Sequence, residues 1–502
     1  MTLSMSVFGF HFAALVVVLP LISAAFSALL RGKNLPWALT TIVSALSFYM
    51  SIQLLIEVSA NGPLSYEMGS WAPPWGIEYL VDPLSGFMLM IISGVSTGVL
   101  LFARESIAKE VPEKQLGMFF SAYLLALAGM LGICITGDAF NIFVFLEIMS
   151  LSSYVLIAMG AGNDRRALTA AFQYLIIGSV GATFFLIGVG LLYMMTGTLN
   201  IADLASRFSE IEDTRPVRAA VGFLIVGIGI KLALFPFHIW MPNAYTYAPS
   251  IVTAFFAGTA TKVSVYLFIR FIFTIFGIDF SFGVIQLTDI LMPLAVLGFL
   301  SMSAVAIFQK NLKRMLAYSS VAQLGYIVLG IALANETGLT ASIVHIFNHA
   351  IVKTGMFLSV GCMFYVIGSP YLKDLNGIGQ RMPITTFGFV LGGIGLIGVP
   401  LTPGFISKWY LILAALERGT YVSYALVVAI VFSSLLAVIY IWRVVEVAYF
   451  REPPEGSTKT EAPLSMLIPT WIFILGSFYF GIETSINVGF AKAAAAFLYG
   501  GQ

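Results

Sequence analysis

Fourteen apolar runs, each about 20 residues or longer, take up most of the chain. They lie at about 7–30, 36–57, 79–103, 115–136, 138–160, 167–195, 218–240, 249–277, 285–308, 312–333, 339–367, 382–414, 421–448 and 464–489. A helix of about 20 apolar residues crosses the hydrocarbon core of a bilayer. Inside that core every backbone N–H and C=O needs an internal partner, so only helices and closed barrels can span it. The runs carry no alternating polar face, which excludes a β-barrel. The expected fold class is therefore all-α, a polytopic membrane protein of about 14 transmembrane helices. Only 10% of the residues are charged, against about 25% in soluble domains, so a soluble globule could not cover its surface. With 59% hydrophobic residues the chain is no disordered segment either. A net charge of +1 offers no basic surface to nucleic acid.

The first run has no Lys or Arg before it, and Arg31 and Lys33 follow it. A signal peptide needs the opposite arrangement, so the run reads as a retained first helix. Loop charges set the orientation. The odd-numbered loops carry 14 Lys and Arg and the even-numbered loops four (Arg207, Arg215, Arg218 and Arg418). By the positive-inside rule the odd loops are cytoplasmic and both termini are outside. Residue 110 should then face the cytoplasm and residue 65 the exterior. Cys134 and Cys362 lie within apolar runs and serve as small apolar side chains. The hydrophilic stretch at 451–463 is a loop within a single membrane domain.

Two helices are interrupted. Helix 7 contains Pro236 in GIKLALFPFHIW, and helix 12 contains Pro400 and Pro403 in GVPLTPGFISKWY. Each proline removes an N–H and frees the carbonyl four residues back. Such breaks survive at membrane depth only where protein or water satisfies the freed groups. They are five helices apart, which suggests two five-helix units, helices 4–8 (115–277) and 9–13 (285–448), after helices 1–3 (1–114) and before helix 14 (464–489). An odd number of helices per unit makes the repeats inverted, a common transporter plan.

Ionisable residues at mid-span are the sharpest functional signal, since a charge at the bilayer centre costs at least about 2.5–3.5 kcal/mol on insertion scales. Glu147 is in helix 5, Lys231 in helix 7, Lys262 in helix 8 and Lys408 after the break in helix 12. In helix 11, His345, His349 and Lys353 form one stripe at i, i+4, i+8 spacing. His238, Arg270, Arg443 and Glu446 lie further out, and Asp82 and Asp138 near helix ends read as caps. A single buried charge can be a packing device. Several lysines beside one mid-span carboxylate need another explanation, and a hydrated line of groups that load and release protons supplies it. Lys353 on the histidine stripe would repel a metal cation. The chain has no CxxC, haem pair or nucleotide loop, so no cofactor and no catalytic chemistry of its own is expected.

The segments TGDAFNIFVFLEIMSLSSYVLIA, IKLALFPFHIWMPNAYTYAPS, TATKVSVYLFIR, NLKRMLAYSSVAQLGY, HIFNHAIVKTGMFL and GFISKWY resemble the antiporter-like membrane subunits of respiratory complex I and its relatives. The likeness covers roughly helices 3 to 13. It implies fourteen helices in two inverted repeats and a proton path in the membrane plane. The positions that match are Glu147, Lys231, Lys262, His345, His349 and Lys408, and the resemblance implies that Glu147 on helix 5 pairs with Lys231 on helix 7. It also implies other membrane subunits as partners, H+ and Na+ as transported ions, and residence in a prokaryotic cell membrane. The wording around Glu147 is most similar to the D subunits of Mrp-type cation/proton antiporters and their counterparts in membrane-bound hydrogenases. Lys408 departs from the complex I branch that carries glutamate there. The chain ends soon after helix 14, without the long lateral helix of the largest members. Two settings stay open: an Mrp-type Na+/H+ antiporter, or the proton-pumping membrane subunit of a redox complex such as complex I, membrane-bound hydrogenase or formate hydrogenlyase.

Overall fold

A computed structural model describes residues 7–208, 211 and 214–500. Residues 1–6, the segment ahead of the first apolar run, lie outside the described residues. Among those described, 13 helices are long and apolar enough to cross a membrane. They are helix 1 (Phe12–Leu29), helix 2 (Asn34–Asn61), helix 3 (Pro83–Glu110), helix 4 (Glu113–Ile135), helix 5 (Ala139–Gly162), helix 6 (Arg166–Thr196), helix 7 (Arg215–Tyr247), helix 8 (Ser250–Ile275), helix 9 (Leu287–Ile307), helix 10 (Leu312–Ala332), helix 11 (Glu336–Ile367), helix 13 (Tyr421–Phe450) and helix 14 (Leu464–Ile482). Two shorter apolar helices, Pro383–Ile397 and Pro403–Leu416, are the halves of the broken helix 12. The protein is an integral multi-pass membrane protein, all-α but for one hairpin.

The breaks fall where the prolines place them. In helix 7 the first half ends at Leu232, Ala233 turns left-handed (φ 59°), and helix resumes as Trp240–Tyr247. Pro236 lies between the halves. In helix 12 Gly398 takes φ 88°, a conformation that favours glycine, and Pro403 opens the second half. Pro fits that first position because its missing N–H would have no helical partner.

Two boundaries and one loop charge differ from the expected reading. Helix 3 begins at Pro83, because residues 78–81 form strand β2 of a hairpin with β1 (Leu64–Glu67). Asp82 precedes a proline, which disfavours helix, so it stays extended and caps the helix by accepting from Ser85 N at 2.9 Å. The run expected at 464–489 is two helices, helix 14 and a terminal helix at Ser485–Gly500, divided at Glu483 and Thr484. Lys313, counted as a loop cation, is buried in the first turn of helix 10.

Matching features recur in the two five-helix stretches. Asp138 caps helix 5 by accepting from Asn141 N at 2.7 Å, and Asn311 caps helix 10 by accepting from Arg314 N at 3.2 Å. Asp138 bridges to Asn200, just past helix 6, and Asn311 to Tyr371, just past helix 11. Helices 6 and 11 both end in a left-handed glycine, Gly197 and Gly368. Helices 8 and 13 both end in a wider π turn. The hairpin seals the Asp138 end: Tyr79 bridges to Thr136, and Gly137 N donates to Glu78 O at 2.8 Å.

Helix contacts depend on small residues, as expected where lipid competes with side chains for apolar contact. A Cβ on Gly129 of helix 4 would lie 2.7 Å from Met149 N of helix 5, and one on Gly227 of helix 7 would lie 2.7 Å from Gly181 O of helix 6. A buried ion pair joins helices 3 and 8. Arg270 donates to Asp82 and, at 2.9 Å, to the Tyr266 hydroxyl, which donates to Cys134 O at 2.8 Å. Breaking a buried pair on one side costs about 3–5 kcal/mol. Arg270→Met should therefore lower the melting temperature of the purified protein, and adding Asp82→Asn should recover part of the loss. Equal melting of Arg270→Met and wild type would mean that the pair does not hold these helices together.

For orientation, residue 110 is a poor probe, because Glu110 is buried and caps helix 8, its Oε2 accepting from Ser250 N at 2.9 Å. Lys114 and Ser65 are exposed on opposite faces. In intact cells an impermeant thiol reagent should label Ser65→Cys and spare Lys114→Cys. The reverse pattern would overturn the orientation drawn from the loop charges.

Candidate functional site

The mid-span charges gather into two clusters within the bundle. The first holds Glu147, Lys231 and Ser150. Lys231 occupies the last turn of the first half of helix 7 and is 3% exposed. Its ammonium donates to Ser150 Oγ at 2.6 Å, one turn along helix 5 from Glu147. The direct Glu147–Lys231 ion pair expected from sequence is not formed. Glu147 Oε1 is instead buried without a hydrogen-bond partner, close enough to act on Lys231 through space. At the break in helix 7, Ile230 O accepts from Ala233 N at 3.1 Å and from Trp240 Nε1 of the second half at 2.9 Å. Trp240 stacks on Tyr174 of helix 6 with ring centroids 4.0 Å apart, so the break is held rigid beside Lys231.

The second cluster joins helices 8, 10, 11, 12 and 13. Helix 8 is itself interrupted, at Thr259 (φ −127°, ψ −60°), three residues before Lys262. Lys262 is fully buried and its ammonium bonds Ala257 O, just before the irregular residue. On helix 11 the His345 and His349 rings stack at 5.8 Å. His345 Nδ1 meets Ser407 Oγ at 2.7 Å, while its Nε2 and both nitrogens of His349 are buried without partners. Lys353 donates to Leu316 O at 2.9 Å and to Ser319 Oγ, both on helix 10. Lys262 lies near enough to act electrostatically on His345, His349 and Lys353.

Lys408 reaches back from the second half of helix 12 to the C-terminal end of the first. Its ammonium donates to Ile397 O at 2.8 Å, Leu396 O at 3.3 Å and Ser434 Oγ of helix 13 at 2.9 Å. It also sits 4.9 Å from the centre of the Tyr326 ring, within cation–π range. The carbonyls freed by the break are thus held by the lysine beside them, and the negative end of the half-helix dipole favours the cation.

Other residues singled out by sequence lie outside both clusters. His238 stacks on Phe235 at the helix 7 break. Arg443 donates to Gln309 O at 3.4 Å, and Glu446 pairs with Arg451 at 3.1 Å on the surface. Asp82 and Asp138 are caps, as their positions implied. Several polar partners were not singled out from sequence: Ser150, Ser319, Ser407 and Ser434 hold the lysines and a histidine. Serines are common in membrane helices, and only the fold shows which of them face a charge. The Thr259 break also has no proline to announce it. Gly258 beside it is the nearest clue: its added Cβ would lie 2.6 Å from Val95.

Known proteins share both the sequence pattern and the fold. A family profile described as "NADH:quinone oxidoreductase/Mrp antiporter, TM" matches residues 136–436. NADH-quinone oxidoreductase subunit N of Desulforudis audaxviator is 40% identical over 94% of this chain and 96% of that protein. A Na(+)/H(+) antiporter subunit of Alkalihalophilus pseudofirmus is 33% identical over 78% of each. Among solved structures, a chain of the archaeal membrane-bound sulfane sulfur reductase superposes with TM-score 0.89 at 32% identity, covering 97% of both chains. A chain of the Mrp complex from Dietzia sp. DQ12-45-1b superposes with TM-score 0.88 at 26% identity, covering 98% of both. Residues 136–436 include both clusters and both proline breaks. The chain belongs to the family of antiporter-like membrane subunits found in NADH:quinone oxidoreductases and Mrp antiporters.

Proposed function

We propose that the chain translocates protons along Glu147, Lys231, Lys262, Lys353, His349, His345 and Lys408, as one subunit of a multi-subunit membrane complex. The observation that carries this reading is the surplus of buried ammonium groups over carboxylates, each held by a hydroxyl or a carbonyl rather than locked in a salt bridge. Such contacts favour the ammonium only modestly, so a proton can leave without stranding a buried carboxylate. Histidines with unpartnered nitrogens on the same stripe can accept it. Pro236, Pro400 and Pro403 supply the breaks, and the paired features of 115–277 and 285–448 support reading these stretches as two inverted repeats. The complex would sit in a prokaryotic cell membrane with both termini of this subunit outside.

Two settings fit. The wording around Glu147 and the lysine at 408 favour an Mrp-type Na+/H+ antiporter, in which sodium exchange is shared with partner subunits. The higher identity and coverage of the NADH-quinone oxidoreductase relative favour a redox-driven complex, in which electrons move through other subunits. Co-purified partners separate the two: iron–sulfur or nickel proteins mark the redox setting, and a larger antiporter-like subunit with small apolar partners marks the Mrp setting.

Two residues test the proton path. Lys408→Ala should abolish translocation, measured as ΔpH in vesicles, while the complex still assembles. Lys408→Arg should fail as well, since a guanidinium stays protonated. Wild-type flux by Lys408→Arg would make 408 a fixed charge and not a carrier.

The Glu147–Lys231 gap is a natural switch. At about 4 Å and an effective dielectric near 20, two unit charges attract by roughly 4 kcal/mol, so closing and opening the gap would hold and release the Lys231 proton. Glu147→Gln should remove translocation without loss of assembly, and Glu147→Asp should retain part of it. An assembled Glu147→Gln complex with wild-type flux across pH 7–9 would make the pair structural.

A further inference from the structure

Helices 2, 3, 11 and 14 border a groove that the proton path does not use. It has a volume of about 390 Å³ and lies at the outer surface of the bundle, where its edges carry the exposed Leu101 and Ile472. Gly94 and Gly98 of helix 3 and Gly476 of helix 14 line it. A Cβ on Gly94 would lie 2.9 Å from the Phe48 ring, and one on Gly98 would lie 2.5 Å from the Phe473 ring, so these glycines let aromatic walls close on helix 3. Gly476 differs, because a Cβ there would meet nothing within 4 Å and would stand in open space. The hydroxyl of Thr97 in the lining donates to Ser93 O at 2.8 Å. The groove is otherwise apolar and offers no set of polar partners to hold water.

One end of the groove meets a cation. On helix 3, Gly94, Thr97, Leu101 and Arg104 follow one another at helical spacings of three and four. Arg104 therefore shares the face that lines the groove, one turn beyond Leu101 and at the end away from the hairpin. It is exposed, and its guanidinium lies 5.2 Å from the centre of the Trp37 ring. The Trp37 indole is held in turn by donating to Leu100 O at 2.8 Å. The neighbouring carboxylate, Glu105, is taken by Lys33 at 3.2 Å, and among the described residues Arg104 has no acidic partner. A tryptophan beside a cation at the end of membrane helices marks the level of the lipid headgroups. From Arg104 down to Met90 this face of helix 3 runs about 21 Å, which gives an acyl chain room to lie along it.

We propose that the groove holds one acyl chain of an anionic glycerophospholipid whose phosphate is bound by Arg104. A guanidinium presents paired N–H donors to phosphate oxygens, and no carboxylate competes for this one. The chain fills apolar space that water would leave dry, and it supplies the dispersion contacts that the groove walls otherwise lack. Phe347 and Ile351 of helix 11 also line the groove. They are offset by two residues from His345 and His349, about 200° round the helix. The lipid therefore braces helix 11 from the side opposite its histidines. Its binding does not depend on proton translocation by the chain.

The test uses the assembled complex in phosphatidylcholine nanodiscs that contain a trace of phosphatidylglycerol with a diazirine midway along one acyl chain. Irradiation should attach the probe to peptides of helices 3 and 14, and unlabelled phosphatidylglycerol should compete it away. Gly476→Leu fills the open space and should cut this labelling at least fivefold. Arg104→Gln removes the phosphate contact and should cut it at least threefold, and it carries the test if Gly476→Leu does not assemble. A phosphatidylcholine probe with the same chain should label the groove at least threefold less than the phosphatidylglycerol probe. Undiminished labelling of an assembled variant would overturn the site. Equal labelling by the two probes would show a groove that takes any lipid, and would overturn the role of Arg104. A groove that stays unlabelled in the intact complex would mean that another subunit covers it, and the proposal would be wrong.

Discussion

The interaction on which this structure depends is the hydrogen bond from a buried lysine to a carbonyl that a helix can spare. Charges at bilayer depth need partners, and the usual partner is a carboxylate. Among the described residues the only mid-span carboxylate facing the lysines is Glu147, and it is not in contact with one. Lys262 bonds Ala257 O beside the interruption of helix 8, Lys408 bonds Leu396 O and Ile397 O at the end of a half-helix, and Lys353 bonds Leu316 O. Lys313 follows the same rule at the edge of the bundle, donating to Ala248 O at 3.1 Å where helix 7 ends. At the helix 12 break and beside the Thr259 interruption the lysine next to the break bonds its carbonyls, whereas at the helix 7 break Trp240 bonds Ile230 O and Lys231 bonds Ser150.

This arrangement has a functional consequence. A salt bridge fixes the protonation of both members, because losing the proton strands the other charge. A carbonyl or hydroxyl partner is neutral, so the amine can give up its proton and keep a contact. The two clusters are built differently in this respect. The first keeps one carboxylate at a distance from Lys231, with Ser150 holding the ammonium meanwhile. The second, among the described residues, has no carboxylate and relies on the stacked histidines of helix 11 between Lys353 and Lys408.

Much of this was legible in the residues. The apolar runs announced the helices, Pro236, Pro400 and Pro403 announced two of the breaks, and the i, i+4, i+8 spacing placed His345, His349 and Lys353 on one face. Three features were not legible. The Thr259 interruption has no proline, and the close packing of Gly258 against Thr354 of helix 11 and Val95 of helix 3 is visible only in the fold. Glu110 and Lys313 read as loop charges because they end apolar runs, yet both turn inward to the ends of helices 7 and 8. The distance between Glu147 and Lys231 is a tertiary quantity: sequence puts one on helix 5 and the other on helix 7, and only packing decides whether they touch.

The central claim is that a neutralisable amine, and not a fixed positive charge, is what position 408 supplies. It can be tested by installing Lys408→Cys and converting the thiol chemically in the assembled complex. Aminoethylation yields a titratable amine of nearly lysine length, and a trimethylammonium thiosulfonate yields a permanent cation. The account predicts that the aminoethyl form regains proton flux and the trimethylammonium form does not. Equal recovery by both would contradict it.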